Sequence, residues 1–431
     1  METIKCENAV GKKYMKQEDV AVEAIRKKLL GKKLTYREIF SVMDEISHER
    51  LGPVLTTYFT AAGFKEGFSL EELYFMTKAM VETGKKLHFS GIVADKHSTG
   101  GVAGTRTTMI LVPIIAAAGF QIPKNSTRAI TSPSGTADTM EVVAPVTFEA
   151  EQIKKIIDDV GGCIVWGGHL GLAPADDVII EIGQPLAFES YDKFIVAIMA
   201  KKIAVGATHL VIDIPVGPTM KVQHFADAEI IGQKFLHLAD KFNIKITIDI
   251  NETTQSAGFG VGPVLEAHDV FEILEQKTDR SMMLENKALR LAGKLLSLCI
   301  EDTPQMKGIN GEELAREILT SGKALTKMRE IIKAQGGNPD ITSDMLIAGK
   351  EKYELASPNK GRVTKIDNKE ISMICRILGS PMDKKAGMFL NRKLEEHVDK
   401  GDILCTLYSQ DAYRMREAIE TVKNIPIYTV E

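Results

Sequence analysis

From Ile92 onward the chain repeats one pattern: the short apolar runs FQIPK, GGCIVW, THLVIDI and IKITIDI alternate with glycine-containing loops and stretches of helical period. Runs this short, bounded by loops and rich in β-branched residues, are expected to be buried strands. Strands that alternate with helices imply a largely parallel sheet with helices packed on it. Ahead of this region, Val20 to Leu87 places apolar residues three and four apart in VEAIRKKLL, YREIFSVMDEI and LEELYFMTKAMVETG, the pattern of a small helical bundle. The stretch FIVAIMAKKIAVG, between two of the strand runs, is helical and could return to that bundle. Helical patterns resume from Asp269 to Gln335 and stop at the turn signal GGNPD. Beyond Leu355 short strands surround turns, with one helix near Asp411 to Val422. The expected fold is therefore α/β: a helical domain (20–87 with 176–206), an α/β domain with a largely parallel sheet (88–175 with 207–344) and a smaller C-terminal α+β domain (345–431), after an N-terminal segment 1–19.

Composition narrows the function. At 431 residues the chain exceeds what a single hydrophobic core supports, which agrees with several domains. A net charge of -4, with Lys and Arg spread along the whole length, offers no basic stripe for a nucleic-acid backbone, so long nucleic acids are not expected as ligands. The five cysteines are widely separated and form no CxxC pair, which suggests neither disulfide framework nor zinc site. No run approaches the roughly 20 apolar residues needed to span a bilayer, and the first residues are polar, so no membrane association and a cytoplasmic location are expected.

The strongest chemical signal is Asp95-Lys96-His97-Ser98-Thr99-Gly100-Gly101-Val102-Ala103-Gly104-Thr105-Arg106-Thr107-Thr108, which leads into the helical run MILVPIIAAAG. Glycines let backbone N–H groups approach an anion, hydroxyls donate hydrogen bonds, Lys96 and Arg106 bring charge, and a helix N-terminus adds its dipole. A phosphate is the expected ligand. The spacing is not the GxxxxGK[ST] of a Walker A loop, and GFGVGP at 258–263 lacks the spacing of a dinucleotide fingerprint. A second loop, Ser126 to Asp138, is rich in hydroxyls and also follows a strand run; it reads either as the other half of a divided anion site or as a Ser/Thr-capped turn.

The motifs KHSTGG, TRAITSPSGTADTMEV, IVWGG, LAPADD and MAKK, in this order, resemble the thymidine and pyrimidine-nucleoside phosphorylase family, and within it the archaeal-type AMP phosphorylases. The resemblance runs from about residue 20 to the end. It implies a helical, an α/β and a C-terminal domain, a homodimer formed through the helical part, and attack of inorganic phosphate on the sugar C1′ with release of the base. By position it implies phosphate contacts from Lys96, Ser98, Gly101, Thr108, Ser126 and Thr136, with His97 beside the nucleoside. It implies nucleotide contacts from Gly101, Thr127, Arg128, Ala129, Ile130, Thr131, Ser132, Thr136, Ala197, Lys201 and Lys221. Glu189 stands where that branch has an aspartate that protonates the leaving base. No cofactor or metal is implied, and the substrates are inorganic phosphate with a nucleoside or nucleoside monophosphate.

The departures from the family pattern bear on the base. Glu189 is a methylene longer than the aspartate, Ala197 replaces a serine, and the segment DDVIIEIGQPL offers Glu181, Gly183 and Gln184 where thymidine phosphorylases place an arginine. A pyrimidine would lose its bidentate partner, and Arg128 with Lys221 could meet a 5′-phosphate. About twenty residues precede the helical region, so the large multimers of the archaeal branch are not expected. A thymidine-type phosphorylase, a non-catalytic nucleotide-binding module and a magnesium-dependent phosphoribosyl transferase using Asp176 and Asp177 are the competing readings.

Overall fold

The computed structural model describes residues 17–129, 132–183 and 190–431; three expected site residues, Ile130, Thr131 and Glu189, lie outside the described residues. The chain divides into two compact units, residues 1–84 with 173–200, and residues 85–172 with 201–431.

In the first unit the expected helical pattern forms helices Gln17–Leu29, Tyr36–Ser47, Gly52–Glu66 and Leu70–Glu82, followed by Pro174–Gly183 and most of Tyr191–Ala204. Two of them begin with reciprocal capping boxes, Thr35 with Glu38 and Ser69 with Glu72, which satisfy N–H groups that the helix itself leaves open. Their apolar stripes meet in a core of Ile39, Val42, Met43, Leu73 and Met80. Glu72 also accepts from the buried Lys28 Nζ at 3.0 Å and from the Leu34 N–H at 3.0 Å, so one carboxylate ties three segments.

The second unit is built on five parallel strands: β1 (Ala94–Ser98), β2 (Ile122–Ser126), β3 (Gly162–Trp166), β4 (His209–Val216) and β5 (Lys245–Glu252). β1 pairs with β4, β4 with β5, and β2 with β3, while the parallel bridge Val93–Gln121 joins β1 to β2 and gives the order β3-β2-β1-β4-β5. The almost wholly apolar helix Thr107–Ala117 and the helix Met282–Glu301 pack on it, and the helices Pro263–Leu274, Gly311–Thr320 and Lys323–Ala334 bury side chains in the same core. The sequence expectation placed a strand before Asp95 and another over FQIPK. Instead the strands run through Asp95-Lys96-His97-Ser98 and as far as Ser126, because the buried charges Asp95, Lys96 and Lys124 are paired within the interior and so tolerate a place in the sheet.

The C-terminal residues form two antiparallel sheets with helices Asn368–Leu378 and Ala412–Asn424 around their own core of Val363, Ile371, Cys375, Met388 and Leu407. That core also takes Ala103 and Val261, and the short strand Gly260–Val261 pairs with Gly387–Leu390, so the α/β segment is stitched into it. No helix among the described residues is long and apolar enough to cross a membrane. The four described cysteines are free and buried.

β3 lies at one end of the strand order, and the fully buried Gln335 closes it. Gln335 Oε1 accepts from Ile164 N–H at 2.8 Å, and its Nε2 donates to Ile164 O at 2.9 Å and Pro145 O at 2.8 Å. Gln335→Leu keeps the bulk but strands both backbone groups of the buried Ile164 in the interior and takes the donor away from Pro145 O. It is expected to lower unfolding free energy by about 2–4 kcal/mol in urea titration; an unchanged midpoint would mean that other groups satisfy this edge.

Candidate active site

The buried charges beside the expected anion site lie on the two faces of β1. Consecutive strand residues point to opposite faces, so Asp95 and Lys96 must each find partners on a different side of the sheet. Asp95 accepts from Lys202 Nζ at 2.6 Å and lies 3.3 Å from Lys124 Nζ; Lys202 also donates to Asn125 Oδ1 at 2.8 Å. Burial alone would raise the Asp95 carboxyl, yet the two ammonium groups hold it below its usual value. The same burial lowers Lys202, with Asp95 opposing.

On the other face Lys96 Nζ donates to Thr107 Oγ1 at 3.1 Å and lies 3.7 Å from Asp213, the carboxylate that also meets Lys287 at 3.5 Å and Asn251 at 2.8 Å. Burial, opposed by Asp213 and joined by Lys287, Lys124 and Arg106, brings the Lys96 ammonium down to about 8. Ser98 at the strand end hydrogen-bonds Asp213. His97 is kept well below its ordinary pKa by burial and by Lys202, Lys124, Lys96 and Lys201, so its imidazole is neutral at pH 7. Its Nδ1 is buried and has no hydrogen-bond partner among the described residues, and neither does the buried Thr99 Oγ1.

The loop after β1 turns on Gly100 (φ +86°) and Gly101 (φ +87°), a left-handed conformation that costs other residues energy. A Cβ on Gly101 would fall 3.1 Å from Lys221 Cβ, so the loop and the Lys221 segment lie against each other. Arg106 then ties this loop to the second: its guanidinium donates to Ser134 O at 2.9 Å and Thr136 Oγ1 at 3.4 Å, and pairs with the buried Glu266. Thr108 is buried in the first turn of helix Thr107–Ala117, and Ser126 is the last residue of β2. The two loops expected to form a divided anion site thus start at the carboxyl ends of the adjacent strands β1 and β2, where ligands bind in open α/β sheets.

The second loop is wound around Asp138. Its Oδ2 accepts the Ala129 N–H at 2.7 Å and the Gly135 N–H at 2.9 Å, and a Cβ on Gly135 would sit 2.4 Å from Thr127 O. Ser132 Oγ donates to Ser134 O. Arg128 pairs with Glu141 through two hydrogen bonds of 2.6 and 2.7 Å, reaches Asp138 at 3.2 Å and lies over the Trp166 ring. That pair brings the Glu141 carboxyl down to about 2, with Lys384 adding to it. The guanidinium expected to meet a 5′-phosphate is therefore already engaged by two carboxylates, and in this structure it shapes the loop. Ala197 and Lys201 sit one turn apart on helix Tyr191–Ala204, on the same helical face. Lys124, Asn125, Asp138, Glu141 and Asp213 were not singled out from sequence; the paired lysines of MAKK and the charges inside a strand run were the available signals.

One His/Asp/Glu group among the described residues, His268, Asp269 and Glu272, brings potential ligand atoms within 4.8 Å of one another. One Asp269 oxygen there accepts the Gly260 N–H at 2.8 Å.

Asp95→Asn would leave Lys124 and Lys202 facing each other without a counter-charge. It is expected to cost about 3–5 kcal/mol of stability, read as a shift in the urea midpoint; a shift under about 1 kcal/mol would show that Asp95 does not hold the two lysines.

Comparison with known proteins follows the same lines. The family model described as the glycosyl transferase family a/b domain matches residues 90–325, and the corresponding helical bundle domain matches 22–84. The pyrimidine nucleoside phosphorylase C-terminal domain matches 362–428. The chain is 40% identical to an AMP phosphorylase of Methanocaldococcus jannaschii over 403 residues, 93% of this chain and 78% of that protein. It is 41% identical over 392 residues to a Bradyrhizobium diazoefficiens protein that carries a thymidine phosphorylase name, covering 91% of this chain and 75% of that one. Anthranilate phosphoribosyltransferase from Thermus thermophilus superposes with a TM-score of 0.61 at 18% identity, over 73% of this chain and 99% of that one, a likeness of fold alone. Matched over more than half its length by the a/b domain model, and carrying the helical and C-terminal domains on either side, the chain belongs to the glycosyl transferase family of nucleoside phosphorylase type.

Proposed function

We propose that the protein cleaves nucleoside 5′-monophosphates, AMP foremost, with inorganic phosphate. The observation that carries the reading is the convergence of two hydroxyl- and glycine-rich loops on adjacent strand ends beside the buried Lys96, in a chain about 40% identical to AMP phosphorylases over most of its length. In the proposed reaction a phosphate oxygen bonds to C1′ as the C–N bond breaks. The base leaves with a proton, and the sugar product is ribose 1,5-bisphosphate. Lys96, Ser98, Gly101, Thr108, Ser126 and Thr136 hold the attacking phosphate, whose charge is met by hydrogen-bond donors and an ammonium. The neutral His97 imidazole offers a hydrogen bond to the sugar without adding charge. Lys221, beside Gly101, is assigned to the 5′-phosphate; Arg128, engaged with Glu141, serves nucleotide binding through the loop it shapes together with Thr127, Ala129 and Ser132. Glu189 is assigned as the acid that protonates the base, carried by its position in the family pattern.

The assay that tests this reading measures kcat/KM for AMP, adenosine, CMP and thymidine at one phosphate concentration, with released base read by chromatography. AMP is expected to lead. Thymidine ahead of AMP would replace this reading by a pyrimidine nucleoside phosphorylase, which the C-terminal domain match and a thymidine phosphorylase name among the relatives keep as the second reading. No phosphate-dependent cleavage of any of them would exclude phosphorolysis.

Lys96 also predicts a pH dependence. Its ammonium is present below about pH 8 and is lost as pH rises through that value, so KM for phosphate should climb on the alkaline side. Lys96→Arg should flatten that limb even where overall affinity falls. A KM that stays level to pH 10 in the wild-type protein would take Lys96 off the phosphate. Glu189→Gln is expected to lower turnover by roughly 10²–10⁴-fold with KM for AMP little changed; near-normal turnover would remove it from the reaction.

A further inference from the structure

The glycine loop after β1 cannot set its own shape. Three of its glycines, Gly100, Gly101 and Gly104, have positive φ, and glycine restricts the backbone least of all residues. A loop that is to present N–H groups to an anion must be held in one conformation by something else. Its start is held by the strands: Thr99 N–H donates to Asp213 O on β4, and Gly100 N–H to Ser98 Oγ at the end of β1.

The centre of the loop is held from far away in sequence. Asn368 Oδ1 accepts the Ala103 N–H at 2.9 Å, and its Nδ2 donates to Gly101 O, across separations of 265 and 267 residues. One side-chain amide thus fixes both ends of the Gly101-Val102-Ala103 segment, using one donor and one acceptor as a neighbouring strand would. Asn368 is itself rigidly mounted. It is 4% exposed and begins helix Asn368–Leu378, whose N-terminus is capped by Asp367 and whose Ile371, Ile374 and Leu378 are anchored in the C-terminal core. Ala103 is buried in that same core.

We propose that Asn368 is a positioning residue for the phosphate half of the reaction: it holds the Gly101–Ala103 backbone in the form that binds inorganic phosphate, and thereby makes the C-terminal domain part of the active site's support. The inference rests on the assignment of this loop to phosphate. Asn368 touches no substrate in this role, so its loss acts on the phosphate half alone. Asn368→Ala removes both hydrogen bonds. Asn368→Asp has nearly the same shape and keeps the acceptor for Ala103 N–H, but it loses the donor to Gly101 O and sets a carboxylate behind an anion loop.

The experiment measures AMP phosphorolysis with phosphate varied at saturating AMP and then the reverse, for wild type and both variants, together with phosphate binding by calorimetry and the thermal midpoint. For Asn368→Ala, KM and Kd for phosphate are expected to rise about tenfold, with KM for AMP within about twofold. For Asn368→Asp the rise in both should be larger. A merely structural residue would lower the thermal midpoint and the amount of active protein without separating the two KM values. Phosphate KM and Kd within about twofold of wild type in either folded variant overturns the proposal, as does an equal rise in both KM values. Should Asn368→Ala fail to fold, the near-isosteric Asn368→Asp carries the test. Calorimetry needs no turnover: wild-type protein that binds phosphate without cleaving AMP would sink the AMP reading and still allow the comparison, whereas wild type that binds no phosphate removes the basis of both.

Discussion

A central strand of a parallel sheet is normally apolar because it is buried on both faces, and β1 instead carries an aspartate followed by a lysine. The arrangement holds because each charge is answered on its own face. Asp95 meets Lys202 and Lys124, and Lys96 meets Asp213, which in turn meets Lys287. These contacts reach from β1 to β2, to β4, to the last turn of helix Tyr191–Ala204 and to helix Met282–Glu301. Placing net-charged groups in the interior is costly unless they are paired, so the pairing constrains how all these elements pack around β1. What remains at the strand end is an ammonium at reduced pKa, a neutral imidazole, and hydroxyl and ring atoms without a partner among the described residues.

The two loops share a second kind of constraint, the use of buried side chains as substitutes for regular backbone pairing. Asp138 gathers the N–H groups of Ala129 and Gly135, Arg106 joins Ser134 and Thr136 to Glu266, and Asn368 spans Gly101 and Ala103. A loop without ladder hydrogen bonds gains definition this way and keeps its outward N–H groups for a ligand. Arg376 adds a hydrogen bond to Ser132 O, and Lys384 meets Asp138 and Glu141, so residues from the C-terminal region reach both loops.

Much of this was legible in the sequence and some was not, for physical reasons. The run GGCIVW contains β3, and THLVIDI and IKITIDI carry all but the last two residues of β4 and β5, since short β-branched runs can do little else between helices. The extent of β1 is hidden because a strand whose charges are internally paired does not look apolar. KHSTGG and MAKK stand out as motifs, yet nothing in either reveals that Lys202 reaches Asp95 across 107 residues. Arg128 reads as a cation available for phosphate; its commitment to Glu141, thirteen residues on, is a matter of loop geometry. Asn368 carries no signal at all, because an asparagine at a helix start ordinarily reads as part of a cap. Glu189, Ile130 and Thr131 are outside the described residues, so their assignments rest on the sequence pattern alone.

The amide of Gln335 has a consequence for the company this protein keeps. An outer strand whose N–H and C=O groups are free is a template on which another chain can add a strand, and parallel strands buried on both faces are sticky ones. At β3 that template is already filled: Gln335 answers both groups of Ile164, and the Trp166 N–H goes to Val146 O. A strand from a second molecule would have to displace a buried side chain and a neighbouring backbone carbonyl before it gained its first hydrogen bond. On this side, then, edge-to-edge growth of the sheet is opposed, and the protection comes from one side-chain amide and one loop carbonyl instead of a covering strand.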